Sequence, residues 1–286
     1  MRAGQVIGDW GNTRLRLWRL ENGAVADRRE GRGVAQTDHP SAALAAALGN
    51  WQADRIVLCG MAGARNGLHE TPYVACPADA ESWRSRLTTF ERGGASVAIA
   101  PGLASWDGRA DVMRGEETQI FGAIANHPHL ASGTHHTVLP GTHSKWAVLA
   151  NGRIESFRTF MTGELFDLLQ RSSLFAADGE AAEADEDGGF SDGLSRHGPL
   201  SALLFEARSG QLLHGRSAGW ARGFVSGVLI GAELATMKPH GSVTIIGEPD
   251  LAARYVRALS DRGIDCTILD AEQCTIAGLR LLDADA

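Results

Sequence analysis

Chemically useful side chains cluster near the N-terminus, where an aspartate, a short polar turn and an arginine follow one another. Asp9 ends an apolar segment, and the turn Gly11-Asn12-Thr13 separates it from Arg14. A Gly-rich turn presents backbone N–H groups that can surround an anion, and a neighbouring carboxylate can hold hydrated Mg²⁺. The same residues would also suit an ordinary hairpin whose Asp and Thr satisfy their own turn. This stretch therefore predicts either an anion site or a plain turn.

Two strands are predicted to hold these residues in place. From Arg14 to Leu17 basic and apolar residues alternate, a period of two that is typical of a half-buried strand. Asn22-Gly23 follows, the strongest short signal for a two-residue hairpin turn. The carboxylate, the polar turn and a basic residue thus lie at one end of a predicted hairpin.

A second segment repeats this pattern in the other half of the chain. Gly141-Thr142-His143-Ser144-Lys145 follows a short apolar stretch and precedes an apolar strand that ends at Asn151-Gly152. Gly11 precedes its Asn-Gly pair by eleven positions, and Gly141 precedes its own by ten. This weak internal repeat of a supersecondary unit predicts two related lobes that hold a nucleotide between them, with an imidazole N–H of His143 placed to meet a phosphate oxygen.

Acidic residues are concentrated from Asp111 to Glu117, at the start of a predicted helix that runs to about Asn126. A carboxylate in such a place can accept the proton of a hydroxyl group during phosphoryl transfer. Acids in a first turn also complement the helix dipole, which would be a purely structural role. The candidate bases are Asp111, Glu116 and Glu117.

Glycine-rich loops follow two predicted buried strands. The strand from Asp54 to Cys59 ends in the loop Gly60–Gly67, and ligands in open α/β sheets bind beyond the carboxyl ends of strands. Within this loop Arg65 could pair with a substrate carboxylate through two hydrogen bonds or make only a surface ion pair. The strand Val243–Ile246 ends in Gly247-Glu248-Pro249 before a helix, which is a weak signal for a nucleoside pocket.

In their order along the chain these segments resemble the 2-dehydro-3-deoxygalactonokinases, a branch of the superfamily of sugar kinases, actin and the Hsp70 ATPase. The segments Asp9–Trp18 and Pro140–Trp146 look like the two phosphate loops of that superfamily. The resemblance covers nearly the whole chain, because it continues through Cys59–Gly67, Pro72–Ala78, Asp111–Gln119, Phe160–Leu165 and Ile246–Pro249.

The resemblance implies an α/β fold with two ribonuclease-H-like (actin-like ATPase) lobes, each with a mixed sheet flanked by helices, around a central cleft. Residues 1–130 would form the N-terminal lobe, with the first phosphate loop and the sugar-acid site. Residues 131–286 would form the C-terminal lobe, with the second phosphate loop and the adenosine site. Lobe closure would exclude water and so suppress wasteful ATP hydrolysis.

The resemblance also implies an activity: ATP- and Mg²⁺-dependent phosphorylation of the 6-hydroxyl of 2-dehydro-3-deoxy-D-galactonate in galactonate catabolism. Asp9 would organise Mg²⁺, and a carboxylate of the 111–117 segment would be the base. Related sugar kinases usually have Gly-Asp where this chain has Gly115-Glu116, so the base stays open. Phosphate, adenosine and sugar-acid contacts would come from Gly11, Asn12, Thr13, Arg14, Gly141, Thr142, His143, Ser144 and Lys145; from Gly247 and Glu248; and from Gly63, Arg65 and Arg114, respectively.

Three alternatives remain at this level. A kinase for another sugar acid or sugar is the nearest, and a substrate panel would separate it. An ATPase of the Hsp70 type is disfavoured because the chain is too short for that domain. A sugar- or nucleotide-binding sensor without catalysis is disfavoured by the intact Asp9 and Glu116.

Composition limits the classes of partner and compartment. The formal net charge of −7 argues against a nucleic-acid partner. Four cysteines without a Cys-x-x-Cys pair fit a reducing compartment. Apolar runs are too short for a membrane span or a signal segment, so a cytoplasmic protein is expected, and a homodimer is one option left open.

Several segments have a mainly structural prediction. Helices are expected at Ser82–Thr88, at Phe160–Phe175 with a cap at Thr162, and at Gly219–Met237 with glycines four residues apart for close packing. The acidic segment 178–189 is expected to be a surface connection, and a cation site is its alternative. The histidines between 127 and 143 lack the usual spacing of a metal site.

Overall fold

The structure is a computed structural model that describes residues 4–106, 108–172 and 185–282. The chain divides into two compact units. The first consists of the described parts of Met1–Thr137, Ala147–Arg158 and Leu269–Ala286, and the second of Val138–Trp146 and the described parts of Thr159–Ile268. The division into functional lobes at about residue 130 stays a prediction.

A six-stranded mixed sheet forms the centre of the first unit, in the order β3-β2-β1-β4-β7-β6. Strands β1, β4 and β7 are parallel, whereas β2 and β3 extend β1 as an antiparallel meander and β6 is antiparallel to β7. Apolar residues on one face of the sheet form a buried core with helix α1. The bounds are β1 Gly4–Trp10, β2 Arg14–Glu21, β3 Ala24–Arg32, α1 Pro40–Leu48, β4 Ala53–Gly60, β6 Thr88–Arg92 and β7 Ala95–Ile99.

The two hairpin turns predicted at the Asn-Gly pairs are confirmed. Asn22 and Gly23 both have positive φ, 52° and 76°, as a two-residue turn between twisted strands requires. Asn151 and Gly152 repeat this conformation with φ of 50° and 75°. They connect the strand Ser144–Ala150 to the strand Arg153–Phe160, so the internal repeat seen in the sequence corresponds to two similar hairpins.

A small three-stranded sheet lies in the same unit, in the order β5-β8-β9. Its strands are β5 Tyr73–Ala75, β8 Gly102–Ser105 and β9 Asp111–Met113. The helix predicted at Ser82–Thr88 is confirmed only over its first part: α2 covers Ala80–Arg84, and Thr88 begins β6. A capping box between Asp79 and Ser82 starts α2 early, and β-branched and aromatic residues at 88–90 favour a strand.

The chain also forms a five-stranded sheet, in the order β12-β11-β10-β13-β14. In the first unit, helices α3 and α9 pack closely against each other at Gly122 and Gly278. The bounds are α3 Glu116–Asn126, β10 Thr134–Leu139, β11 Ser144–Ala150, β12 Arg153–Phe160, β13 Val243–Ile246, β14 Cys266–Leu269 and α9 Ala271–Leu281. The predicted mixed α/β class with helices beside the sheets is confirmed.

Helices dominate the second unit. The predicted close packing of the glycine-spaced helix is confirmed, because a Cβ at Gly223 would lie 1.9 Å from the backbone oxygen of Glu186. Residues 186–189 begin helix α5 and are not a connection; residues 178–184 lie outside the described residues. The bounds are α4 Thr162–Gln170, α5 Glu186–Leu194, α6 Leu200–His214, α7 Ala218–Met237 and α8 Pro249–Ser260.

Within the described ranges, no helix is both long enough and apolar enough to cross a bilayer.

Candidate active site

Asp9 lies near the carboxyl end of β1, where the parallel strand β4 also ends and the antiparallel strand β2 begins. It stands opposite Arg16 in β2 and beside Cys59 in β4. Arg16 Nη2 donates to Asp9 Oδ2 over 2.9 Å, and the Cys59 thiol donates to Asp9 Oδ1 over 3.6 Å. The Asp9 side chain is 15% exposed. The sequence analysis missed Arg16 as its partner, although the hairpin register was the signal that could have found it.

Backbone hydrogen bonds fix the loop Gly11–Arg14, whereas most of its side chains are exposed to solvent. The Gly11 N–H donates to the Arg14 carbonyl oxygen over 2.8 Å, and the Gly11 and Asn12 carbonyls accept from residues 34 and 35 over 3.0 Å. Gly33 allows this contact, because a Cβ there would lie 2.1 Å from the Asn12 carbonyl oxygen. Asn12, Thr13 and Arg14 are exposed, so this loop offers side chains to a ligand without a change in its backbone.

Helix α3 begins beside the end of β4. Gly115, with φ of 114°, precedes the helix, and a Cβ on it would lie 3.3 Å from the Gly60 Cα. The Gly115 N–H donates to both carboxylate oxygens of Glu117, over 2.9 and 2.7 Å. Burial raises the pKa of the Cys59 thiol, and the charges of Asp9 and Glu117 raise it further. Asp9, Cys59 and Glu117 therefore form one acidic cluster.

The three candidate bases occupy different environments. Glu117 is 0% exposed, and burial, followed by the charge of Glu116, raises the pKa of Glu117 to about 8. Glu116 is half-buried and its Oε2 accepts from the Arg114 backbone N–H over 3.1 Å. Asp111 is half-buried in β9, with its Oδ1 accepting from the Val112 N–H over 2.8 Å. Only Glu117 is closed off from a ligand.

The raised pKa of Glu117 makes a testable prediction about stability. Its folded pKa of about 8 lies above the ordinary 4.5, so the folded protein holds a proton that the unfolded chain releases between these pH values. The free energy of unfolding should therefore fall as pH rises through this window, by up to about 1.4 kcal/mol per pH unit from this group. Glu117→Gln mimics the neutral acid and should remove that contribution.

Urea unfolding of wild type and Glu117→Gln at pH 5, 6.5 and 8 measures this effect. The variant should gain stability relative to wild type as pH rises. Glu81→Gln, at an exposed position in α2, is the control. Parallel pH profiles for wild type and Glu117→Gln would contradict a neutral buried Glu117.

Arg114 is held rigidly beside the same cluster. Its guanidinium donates through Nη2 to the Thr71 carbonyl oxygen over 3.0 Å and through Nη1 to the Thr71 hydroxyl. It also lies 4.3 Å from the centre of the Tyr73 ring. Its Nε atom is buried and has no hydrogen-bond partner within the described residues. A Cβ on Gly63 would come within 2.7 Å of Arg114 Nη1.

The structure thus brings Gly63 and Arg114 together and leaves Arg65 exposed on the loop. Sequence analysis did not identify Thr71 and Tyr73 as the residues that hold Arg114. The segment Pro72–Ala78 belonged to the family resemblance, but no pattern within it indicated a contact with a residue some 40 positions away.

The loop Gly141–Lys145, called the second loop below, packs on the start of α4 in the second unit. The Glu164 N–H donates to the Thr142 carbonyl oxygen over 3.0 Å, and the carboxylate of Glu164 lies 2.6 Å from His143 Nε2. Thr142 and His143 are exposed, whereas Ser144 and Lys145 are buried. The second loop therefore presents its first half to a ligand.

A cavity of about 280 Å³ opens beside the second loop, within the second unit. Its walls come from the second loop and from α4, α7 and α8, and they combine apolar side chains with polar and charged ones. Gly247 lies next to Pro140, and Glu248 precedes α8; neither is among the lining residues. Those residues are Gly141, Thr142, Thr162, Gly163, Phe166, Asp167, Ser226, Leu229, Ile230, Leu251, Arg254 and Tyr255.

Asp9 is the residue that suits a magnesium ion. Mg²⁺ keeps most of its waters and takes one or two carboxylates, and Asp9 is a partly exposed carboxylate at a strand end, so the residues present fit such an ion. Within the described ranges no group of three or more His, Cys, Asp or Glu side chains is arranged around one metal position.

Comparison with known proteins gives a consistent family. A model of the family described as 2-keto-3-deoxy-galactonokinase matches residues 9–282. A protein of Rhizobium meliloti (strain 1021), named as a probable 2-dehydro-3-deoxygalactonokinase, is 42% identical over 95% of this chain and 94% of its own length. The 2-dehydro-3-deoxygalactonokinase of Escherichia coli (strain K12) is 35% identical over 98% of this chain and 97% of its own.

Solved structures agree. A candidate 2-dehydro-3-deoxygalactonokinase from Sinorhizobium meliloti has a TM-score of 0.87 and 38% identity, covering 98% of this chain and 95% of that one. The activator of 2-hydroxyisocaproyl-CoA dehydratase from Clostridium difficile, with bound ADPNP, shares the fold at a TM-score of 0.53 and 13% identity over 98% and 95% of the chains. The family resemblance found in the sequence is confirmed, and the chain belongs to the 2-keto-3-deoxy-galactonokinase family.

Proposed function

We propose that the protein transfers the γ-phosphoryl group of ATP to the 6-hydroxyl of 2-dehydro-3-deoxy-D-galactonate. The observation that carries this proposal is the grouping of a rigid arginine with an acidic cluster at the ends of β1 and β4 and the start of α3. A sugar acid needs a cation for its carboxylate, and phosphoryl transfer needs carboxylates near the reacting hydroxyl. The names of the two curated relatives support the choice of substrate.

Arg114 is the proposed partner of the substrate carboxylate. Its guanidinium is fixed by two bonds to Thr71 and by the Tyr73 ring, so little side-chain entropy is lost when it binds an anion. The buried Nε–H of Arg114 has no acceptor among the described residues, so it could donate to a bound carboxylate. The exposed Arg65 would assist as a second cation at the rim.

Glu116 is the proposed general base. It is half-buried and lies at the first position of α3, whereas Glu117 is fully buried and bonded to the Gly115 N–H. The 6-oxygen attacks the γ-phosphorus, the bond to the β–γ bridging oxygen breaks, and the hydroxyl proton passes to Glu116. Glu117 would fix the turn at Gly115 that places Glu116.

Phosphates and the metal would be held by the loops. Asp9 would hold Mg²⁺, which when bound supplies positive charge that neutralises the phosphate oxygens. Gly11 to Arg14 would contact the transferring phosphate, with the exposed Thr13 and Arg14 as its side-chain donors.

The cavity beside the second loop is the proposed nucleotide site. Phe166, Leu229 and Ile230 provide apolar surface for a purine. Gly141 and Thr142, which also line the cavity, would lie beside the phosphates. Gly247 and Glu248 would support this pocket from the start of α8. His143 would donate to a phosphate, while Ser144 and Lys145 are more deeply placed.

Arg114→Lys should raise KM for the sugar acid and leave KM for ATP unchanged. Lysine keeps the charge but loses the paired donors and the stacking on Tyr73. Loss of a hydrogen bond to a charged group costs about 1.5–3 kcal/mol of binding free energy, so KM should rise about tenfold or more. Steady-state kinetics with each substrate varied in turn measures the change.

Arg65→Lys is the matched control for Arg114→Lys. Because Arg65 is exposed, its replacement should change KM for the sugar acid by no more than about threefold. A larger rise in KM for the sugar acid in Arg65→Lys than in Arg114→Lys would make Arg65 the main partner of the substrate carboxylate.

A substrate panel tests the proposed function. Purified protein with Mg²⁺ and ATP is assayed for ADP formation with 2-dehydro-3-deoxy-D-galactonate, its C4 epimer, D-galactonate and D-galactose. The proposal expects the highest kcat/KM with the first compound. A higher kcat/KM with another member would reassign the substrate, and ADP formation that no member stimulates would contradict kinase activity on this class.

A further inference from the structure

Glu233 in α7 is buried, and it has no place in the proposed phosphate contacts or in the acidic cluster. Its exposed fraction is 1%. Trp146 Nε1 donates to its Oε2 over 2.6 Å, and Tyr255 OH donates to its Oε1 over 2.8 Å. The Thr162 hydroxyl also donates to Oε1. Burying a carboxyl group in a protein core costs free energy unless its oxygens accept hydrogen bonds. The three donors around Glu233 meet this requirement, and they suggest a role for this residue beyond packing.

The partners of Glu233 come from three different elements around the second loop. Trp146 is in β11, immediately after the second loop, and Thr162 is the first residue of α4. Tyr255 is in α8, and its hydroxyl lies 2.6 Å from the Ser144 hydroxyl inside the loop. One carboxylate therefore connects α7 with β11, α4 and α8. We call Ser144, Trp146, Thr162, Glu233 and Tyr255 the Glu233 network.

The network touches the cavity directly. Thr162 and Tyr255 line it, while Glu233 does not. The start of α4 also supports the second loop, because the Glu164 N–H bonds to the Thr142 carbonyl oxygen and Gly163 lies against Gly141. A shift of Thr162 would therefore move both a cavity wall and the loop.

We propose that Glu233 is a positioning residue for the nucleotide: by accepting hydrogen bonds from Trp146, Thr162 and Tyr255 it holds the second loop and two cavity walls in one arrangement. This inference rests on the proposed nucleotide site. It assigns to Glu233 an effect on nucleotide affinity beyond its contribution to folding. Burial raises the pKa of Glu233, and the hydrogen bonds from Thr162, Trp146, Tyr255 and Ser144 offset part of that rise.

Two substitutions of Glu233 separate its hydrogen bonds from its size. Glu233→Leu has a similar volume and no acceptor, so it leaves the Trp146 N–H unpaired and frees α4 and α8 from each other. Glu233→Gln keeps one acceptor for Trp146, and the Thr162 and Tyr255 hydroxyls can turn to accept from its amide. We expect Glu233→Leu to raise Kd for Mg·ATP about tenfold or more, and Glu233→Gln to stay within about threefold of wild type.

Leu234→Ala is the matched control. Leu234 is the next residue in α7, is fully buried in the apolar core of the same unit, and is not among the residues that line the cavity. Its truncation should lower Tm substantially and leave Kd for Mg·ATP unchanged. A role of Glu233 in folding alone would give the same pattern for Leu234→Ala and Glu233→Leu.

Isothermal titration calorimetry measures Kd for Mg·ATP in wild type and each variant, and Tm and KM for the sugar acid are measured alongside it. Raised Kd in Glu233→Leu, retained affinity in Glu233→Gln and Leu234→Ala, and an unchanged KM for the sugar acid would support the inference. Equal Kd in wild type and Glu233→Leu would overturn it while leaving the proposed function intact. Absence of Mg·ATP binding to wild type would instead overturn the proposed function.

Should Glu233→Leu not fold, Tyr255→Phe and Thr162→Val provide the same test. Each removes one hydroxyl from the network and keeps the shape of the side chain. A Kd about threefold higher in each, with the larger effect in the double variant, would support the inference. Wild-type affinity in the double variant would overturn it.

Discussion

Glu116→Gln is expected to lower kcat by about 100- to 10,000-fold, the range for loss of a general base. The amide keeps the shape and the acceptor for the Arg114 N–H but cannot take the hydroxyl proton. KM for ATP should not change, because Glu116 is not among the residues that line the cavity proposed for the nucleotide. The loss should therefore appear in kcat and kcat/KM alike.

Glu117→Gln and Asp111→Asn are the comparison variants for Glu116→Gln. Glu117 is buried and bonded to the Gly115 N–H, and its amide variant keeps an acceptor for that bond, so we expect a loss below about tenfold. Asp111 should behave similarly. A greater loss in Glu117→Gln would transfer the role of base to the buried carboxylate.

Asp9→Asn is expected to lower kcat by about 100- to 1,000-fold, as for loss of one preorganised electrostatic group at a transition state. Asparagine can still accept from Arg16 Nη2, so the cross-strand contact and the strand ends should be retained. The measured quantities are kcat and the Mg²⁺ concentration for half-maximal rate, and the latter should rise. Tm should change little, since Asp9 stands at the open end of its strand and is partly exposed.

Asp27→Asn is the control for Asp9→Asn. Asp27 is exposed on β3 of the same sheet, and its substitution should leave both kcat and the Mg²⁺ requirement unchanged. A wild-type Mg²⁺ requirement in Asp9→Asn would contradict the metal role of Asp9. An equal drop in Tm and activity would point to a structural role instead.

Local sequence patterns predicted the parts of the site that are continuous in the chain. The alternation after Arg14 and the two Asn-Gly pairs fixed both hairpins, because turn chemistry and period-two burial act over a few residues. The glycine spacing of α7 predicted its close packing, and the acidic start of α3 predicted where carboxylates would lie. The family resemblance added the order of the segments.

Contacts between distant segments could not be read in this way. Glu233 stands in a helix whose pattern indicated packing alone, and its partners are between 22 and 87 positions away. The arrangement of Thr71 and Tyr73 around Arg114 depends on the three-stranded sheet, whose strands have only three or four residues each. Strands this short leave no period to detect. The helix predicted at Ser82–Thr88 was placed too far along the chain for a related reason, because pairing with β7 makes Thr88 the start of a strand.

The most direct test of the account is to identify the product. The protein is incubated with Mg·ATP and 2-dehydro-3-deoxy-D-galactonate, ADP is quantified, and the phosphorylated position is located by coupled ³¹P and ¹H NMR. The account predicts one ADP for each sugar-acid phosphate, with the ester on the 6-oxygen and no ADP formation above background when the sugar acid is omitted. ADP formation that is independent of the sugar acid, or an ester at another oxygen, would contradict it.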